Sequence, residues 1–274
     1  MAALFFDDFS QPDRAALQRQ GWTLREQAGH PGPPGARWAT EGLVLQDDPE
    51  RPGNRLLRLH AHSDGTAAGT VQSQLCRPQQ FLWGSTAARV RFSPRVAAGV
   101  PRVQAFFQVS PLRFDYDPLF SELDWEYLPN GGWGAPGARL FAVAWQTVRL
   151  EPWDAHNQAH EEPLDLSGRW VQLTVQTDAE GSRWFLDGQA LARHGGRTVP
   201  RQPMALAFSH WISPGGLLPT PQASDAAFEV DWVIHVADVR RSPAELAAQV
   251  AELRAQGVAQ RDSLPPGPAP ACNF

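Results

Sequence analysis

Lysine is absent from this chain of 274 residues: all 24 basic residues are arginine, against 29 acidic ones, for a net charge of −5. The arginines are scattered singly, so the clustered positive surface that a nucleic-acid partner demands is missing. The bias toward arginine reads as coding preference, because no spacing resembles a phosphate clamp. Cysteine is almost absent too. Cys76 and Cys272 are the only two, which excludes a disulfide framework and a cysteine-rich metal site. No apolar run approaches transmembrane length. The short apolar patch from Ala2 to Phe6 runs straight into Asp7-Asp8 and lacks the pattern of a secretory leader. As it stands the sequence carries no address label, so a cytoplasmic protein is the expectation and a secreted one the runner-up. Tyrosine is scarce at two residues, whereas tryptophan reaches 11. Tryptophan offers a broad apolar face with one donor, suited to stacking on sugar rings and equally to filling a core.

A chain this long makes one large domain or two small ones and can bury about three quarters of its unfolded surface. Segments 69–75, 86–93, 103–110, 121–128, 139–148, 169–178, 183–190, 203–212 and 228–239 alternate or run apolar, with Gly, Pro, Asn and Asp between them. Asp187-Gly188 reads as a tight turn between two strand-like pieces. Many strands and few helices predict an all-β sandwich or barrel over residues 1–240. One helix is signposted within 241–258: Ser242 as N-cap, Pro243 as first helical residue, Glu245 as capping-box carboxylate, and Leu246, Val250 and Leu253 as an apolar stripe to dock on the sandwich. Residues 259–274, with Pro265-Pro266-Gly267-Pro268-Ala269-Pro270, read as a disordered tail with nothing to bury.

The segment Ser121-Glu122-Leu123-Asp124-Trp125-Glu126-Tyr127-Leu128 carries the chemistry. On a strand, Glu122, Asp124 and Glu126 share one face, and Leu123, Trp125 and Tyr127 the other. A helix would separate Asp124 from the two glutamates. The β-formers Trp125 and Tyr127 and the stop at Pro129-Asn130-Gly131-Gly132 favour the strand. Three adjacent carboxylates repel one another, so they serve to bind a positive group or to move protons. Residues four apart on a strand have Cα atoms about 13 Å apart. Two glutamates leaning together reach roughly the 5–5.5 Å of a retaining glycosidase pair.

Ser121-Glu122-Leu123-Asp124-Trp125-Glu126 resembles the catalytic strand of glycoside hydrolase family 16, the laminarinase, lichenase and agarase group. Further segments resemble that family in the same order: Phe6-Asp7-Asp8-Phe9, Phe81 to Phe92, Arg183-Trp184-Phe185-Leu186-Asp187-Gly188 and Phe228-Glu229-Val230-Asp231-Trp232-Val233. The resemblance implies a concanavalin A-like β-jelly roll and β-glucan or galactan substrates. It also implies Glu122 as nucleophile, Glu126 as general acid/base and Asp124 as the intervening helper. Two departures bear on the subsites: Trp125 is bulkier than the aliphatic residue often found there, and Ser209-His210-Trp211 replaces a segment that often contains asparagine. The resemblance requires no cofactor, and a structural calcium ion is left open.

Trp133, in the Gly-rich loop after the acidic strand, is the first choice for a sugar platform, followed by Trp145, Trp153 and Trp211. His156 and His160, followed by Glu161-Glu162, have a metal-binding spacing on a helix. The flanking Pro152 and Pro163 instead predict a solvated loop. Arg113 and Asp115 either line the cleft or anchor a loop. The expected partner is a polysaccharide or oligosaccharide substrate of a monomeric protein, with no nucleic acid and no membrane. A transglycosylase shares every residue named here. The rival readings are a lectin-like carbohydrate-binding protein of the same fold, or an interaction protein using the C-terminal helix.

Overall fold

The computed structural model describes residues 2–95, 101–213, 217, 223–270 and 272. Period-two alternation sets the architecture. Leu123, Trp125 and Tyr127, Leu140, Ala142 and Ala144, Val171, Leu173 and Val175, and Leu206 and Phe208 all point into one buried core, as alternate positions of a half-buried strand must. Two antiparallel layers enclose that core. In the first, the hydrogen-bonded order is Asp154–Glu162, Arg139–Arg149, Glu122–Leu128, Arg102–Val109, Ala205–Ile212, Val71–Cys76. In the second it is Gln189–Gly195, Gly181–Leu186, Trp170–Asp178, Gly84–Arg91, Ser224–Ala237, Arg55–Ser63, Leu43–Asp47. Leu4–Asp7 lies along the second half of Ser224–Ala237. The predicted turn at Asp187-Gly188 is present, with φ of +47° and +82°, the left-handed pair that a two-residue hairpin loop requires.

Asp231 sits at a bulge between Val230 and Trp232, fully buried. Its carboxylate accepts from Arg89 at 2.7 Å, Arg254 at 2.9 Å, Arg51 at 3.1 Å and Asn54 at 2.9 Å. Arg254 belongs to the helix Pro243–Ala255, which the Ser242–Glu245 capping box starts. Leu246, Val250 and Leu253 pack against Phe6, Ala87, Trp232, Ile234 and Val236. The helix is thus held by apolar contact along one stripe and by ion pairs at its end.

Three sequence expectations are corrected. The tail expected to be disordered is ordered through Pro270. Gln260–Asp262 adds to the free edge of Leu4–Asp7, Leu264 enters the main core, and Gln79 N donates to Pro268 O at 3.0 Å. Composition alone misses this, because the tail completes a sheet edge that the rest of the chain supplies. Cysteine scarcity does not exclude a disulfide either, since Cys76 is bonded to Cys272, 196 residues away. Residues 154–162, expected as a solvated loop, form a strand. Its backbone is satisfied by Arg139–Arg149, so the polar side chains of an edge strand suffice there. The strands Leu4–Asp7, Leu43–Asp47 and Arg55–Ser63 are additional to those read from the sequence. Among the described residues no helix is long and apolar enough to cross a membrane.

Candidate active site

Strand parity puts Glu122, Asp124 and Glu126 on the face of the first layer that turns away from the core. There they line a cavity of about 660 Å³. The register fixes their neighbours. Trp145, Val143 and Phe141 stand opposite them on one side, and Val109, Phe107 and Ala105 on the other. Every one of those six side chains is apolar or aromatic. Among the described residues no arginine lines the cavity, and the one imidazole there, His30, is lowered by desolvation and by the Arg25 charge, although its side chain is partly exposed. The three acids therefore face one another with no arginine among the described lining residues to compensate them. Glu122 and Asp124 are buried, at 6% and 5% exposed, and Glu126 is the most accessible of the three.

The electrostatic outcome follows. Burial in this apolar floor is the largest effect on each acid, and it favours the neutral form. It pushes Asp124 up to about 8, although hydrogen bonds with Trp145 and Glu122 favour its ionised form. Glu122 is raised well above the ordinary carboxylate range by burial, then by the negative charges of Asp124 and Glu126. Glu126 is raised by burial, then by Asp124. Burial thus favours a shared proton within the trio, and the hydrogen bond between Glu122 and Asp124 needs one proton between the two carboxyls. Trp145 Nε1 donates to Asp124 Oδ2 at 2.5 Å, which fixes the middle carboxyl.

All four tryptophans proposed from the sequence as sugar platforms line this same cavity. Trp133 is half exposed, with φ of +53°, and packs on Phe141 at 4.9 Å between ring centroids. Trp153 is half exposed and edge-on to Trp145 at 6.0 Å. Trp211 is largely buried, and Trp145 serves the acidic floor as much as the wall. At the second departure from the family, Ser209 and Trp211 line the cavity while the intervening His210 points inward, fully buried, to Leu59 O at 2.9 Å. Trp125, the other departure, is accommodated in the core edge-to-face with Trp184 at 5.1 Å. Arg113 anchors a loop through a paired contact with buried Asp117 at 2.6 Å, and Asp115 is exposed. His156 and His160 stand on the edge strand, bonded to their own neighbours Asp154 and Glu162. Among the described residues no group of three or more His, Cys, Asp or Glu is placed to hold a metal ion.

Several lining residues escaped the sequence reading. Phe141 and Val143 share the strand parity of Trp145, and Phe107 and Ala105 oppose Asp124 and Glu126. That parity was a usable signal once the strands were paired. His30 and Pro31 come from a Gly- and Pro-rich loop with no local signal at all.

No family model matches the sequence, and no curated protein matches it. Solved structures do match in three dimensions. A β-glucanase of Bacillus licheniformis superposes with a TM-score of 0.61 at 12% identity, over 88% of this chain and 100% of that one. A glycoside hydrolase family 16 endo-glucanase from Bacteroides ovatus, bound to G4G3G-2F-DNP, gives 0.63 at 14% identity, over 84% and 98%. The κ-carrageenase of Pseudoalteromonas carrageenovora, bound to an oligotetrasaccharide of κ-carrageenan, gives 0.58 at 14%, over 86% and 95%. At such identities the likeness speaks for the fold. The chain has the β-jelly-roll fold of these enzymes, and the resemblance read from its acidic strand is met at the level of the fold.

Proposed function

We propose that this protein is a retaining glycoside hydrolase acting on a neutral β-linked polysaccharide or oligosaccharide. One observation carries the reading: three carboxyls on one strand face form the floor of a tryptophan-walled cavity whose apolar surroundings raise their pKa values. Double displacement needs one proton on the acid and none on the nucleophile. Glu126 donates its proton to the glycosidic oxygen as the C–O bond breaks, and the Glu122 carboxylate attacks the anomeric carbon to form a glycosyl ester. The one proton shared between Glu122 and Asp124 settles on Asp124 as the Glu122 carboxylate attacks. Glu126, now ionised, removes a proton from water, which cleaves the ester and returns the sugar with its original anomeric configuration.

The charge of the cavity supports a neutral substrate. With acids on the floor and no arginine among the described lining residues, a sulfated or uronic chain would meet repulsion there. The aromatic walls suit the apolar faces of uncharged pyranose rings. The Cys76–Cys272 bond supports residence in an oxidising compartment, where such polysaccharides lie. The test is reducing-end release on β-1,3- and β-1,3-1,4-glucans and neutral galactans across pH 4–8. Activity on one of them, abolished by Glu122→Gln with binding retained, is the expected result. Binding of a glucan with no ends released across that range would instead favour a lectin-like protein.

A further inference from the structure

We infer that His30 and Trp153 bridge the groove above its catalytic floor and restrict it to chain ends and short oligosaccharides; this rests on the hydrolase reading. The two residues come from opposite edges of the first layer. His30 lies between the short strands Thr23–Leu24 and Arg37–Trp38, both paired with Val71–Cys76 at one side. Trp153 sits in the turn joining Arg139–Arg149 to Asp154–Glu162 at the other side. The strands Glu122–Leu128, Arg102–Val109 and Ala205–Ile212 run between these edges. Yet the two rings stack at 5.5 Å between centroids with planes 24° apart, and both line the cavity that holds the three acids. Elements from the two edges therefore meet over the floor.

The contact leaves no room for a sugar between the rings. A pyranose held by two aromatic faces needs a layer of about 3.5–4 Å on each side, some 7–8 Å in all. A long chain thus cannot be laid sideways into the groove past this point and has to enter by an end. Both sides of the bridge are anchored. Buried Arg25 donates to Gly29 O at 3.2 Å, His30 O at 2.9 Å and Gln74 Oε1 at 2.8 Å, with its guanidinium 4.0 Å over Trp38. Trp38 Nε1 donates to Gly29 O at 3.1 Å. Trp153 rests edge-on against Trp145, whose indole is bonded to Asp124. The bridge is in this way tied to the catalytic floor itself.

The experiment compares wild type, His30→Ala, Trp153→Ala and Trp153→Phe on a soluble neutral β-glucan, recording viscosity and reducing ends together. Wild type is expected to release reducing ends with little fall in viscosity. The two alanine variants should lower viscosity several-fold more per end released, while Trp153→Phe, which keeps a stacking ring, should retain the wild-type ratio. Each variant's melting curve separates misfolding from opening, and either alanine variant suffices. A wild type that lowers viscosity as steeply per bond as the alanine variants overturns the bridge and leaves the hydrolase reading intact. If no glycan is cleaved, the hydrolase reading fails and the bridge is read by tryptophan-fluorescence titration with β-glucan hexasaccharide and long β-glucan. Per-chain affinity independent of chain length in wild type, but rising with length in Trp153→Ala, supports it. Affinity rising with length in wild type refutes it.

Discussion

Replacing Asp124 by asparagine is expected to stabilise the protein at alkaline pH and to flatten its dependence on pH. Burial lifts the Asp124 carboxyl from 3.8 to about 8, so the folded state holds a proton that the unfolded chain releases. A carboxyl raised in this way contributes most below its unfolded pKa, and the contribution is lost as pH rises through the folded value. The window is therefore about pH 4 to 8. The full shift corresponds to a ceiling of about 6 kcal/mol at 1.36 kcal/mol per unit. Glu122 and Glu126 share the same protons, so the loss assignable to Asp124 alone is smaller, about 2 kcal/mol. Asparagine keeps the shape, accepts from Trp145 through its carbonyl and donates to Glu122 through its amide. In a chain of this size about 2 kcal/mol moves Tm by roughly 4–8 °C. Thermal unfolding of wild type and Asp124→Asn at pH 4 and pH 8 measures it: near-equal Tm at pH 4, and the variant higher at pH 8. A wild type whose stability is flat or rising between pH 5 and 8 would refute the picture of an uncompensated acidic floor.

Trp145→Phe keeps the aromatic wall but removes the indole donor to Asp124. A hydrogen bond to a charged group contributes about 1.5–3 kcal/mol, so kcat should fall tenfold or more, and the carboxyl-controlled limb of the pH–rate profile should move upward. Asp231→Ala strands Arg51, Arg89 and Arg254 around a vacated buried site. The expected cost is about 3–5 kcal/mol, read by urea denaturation. The Asp231 pKa is lowered by Arg254, Asn54 and Arg89 against the cost of burial, so its stabilisation is present at neutral pH and lost as pH falls through its folded value. The Cys76–Cys272 bond closes a separation of 196 residues, for which chain entropy gives a ceiling of about 5 kcal/mol. Cys272→Ser should lower Tm as far as reduction of the wild type does, and reductant should then have no further effect on the variant.

What was legible in the sequence was legible through period two. Glu122, Asp124 and Glu126 face the cavity, and Leu123, Trp125 and Tyr127 face the core, because a strand leaves alternate side chains no other choice. The helix was legible through Ser242, Pro243 and Glu245, where capping is a local event. The edge strand Asp154–Glu162 was not, since an edge needs only one partner and imposes no apolar alternation on its side chains. Nor was the tail, whose order depends on a vacant edge at Leu4–Asp7 and a cysteine at position 76. The His30–Trp153 contact joins loops 123 residues apart in sequence (153 − 30), and no local pattern announces it. In the site, the acids were readable one by one, but the apolar floor that raises their pKa values required the pairing of three strands.

The central claim is that Glu122 attacks the sugar. Intact-mass spectrometry after incubation with an activated 2-deoxy-2-fluoro β-glycoside of the best substrate tests it directly. The account predicts a single glycosyl adduct, mapped by peptide digestion to Glu122 and absent from Glu122→Gln. Turnover with inverted anomeric configuration and no adduct, or an adduct on any other residue, would contradict it.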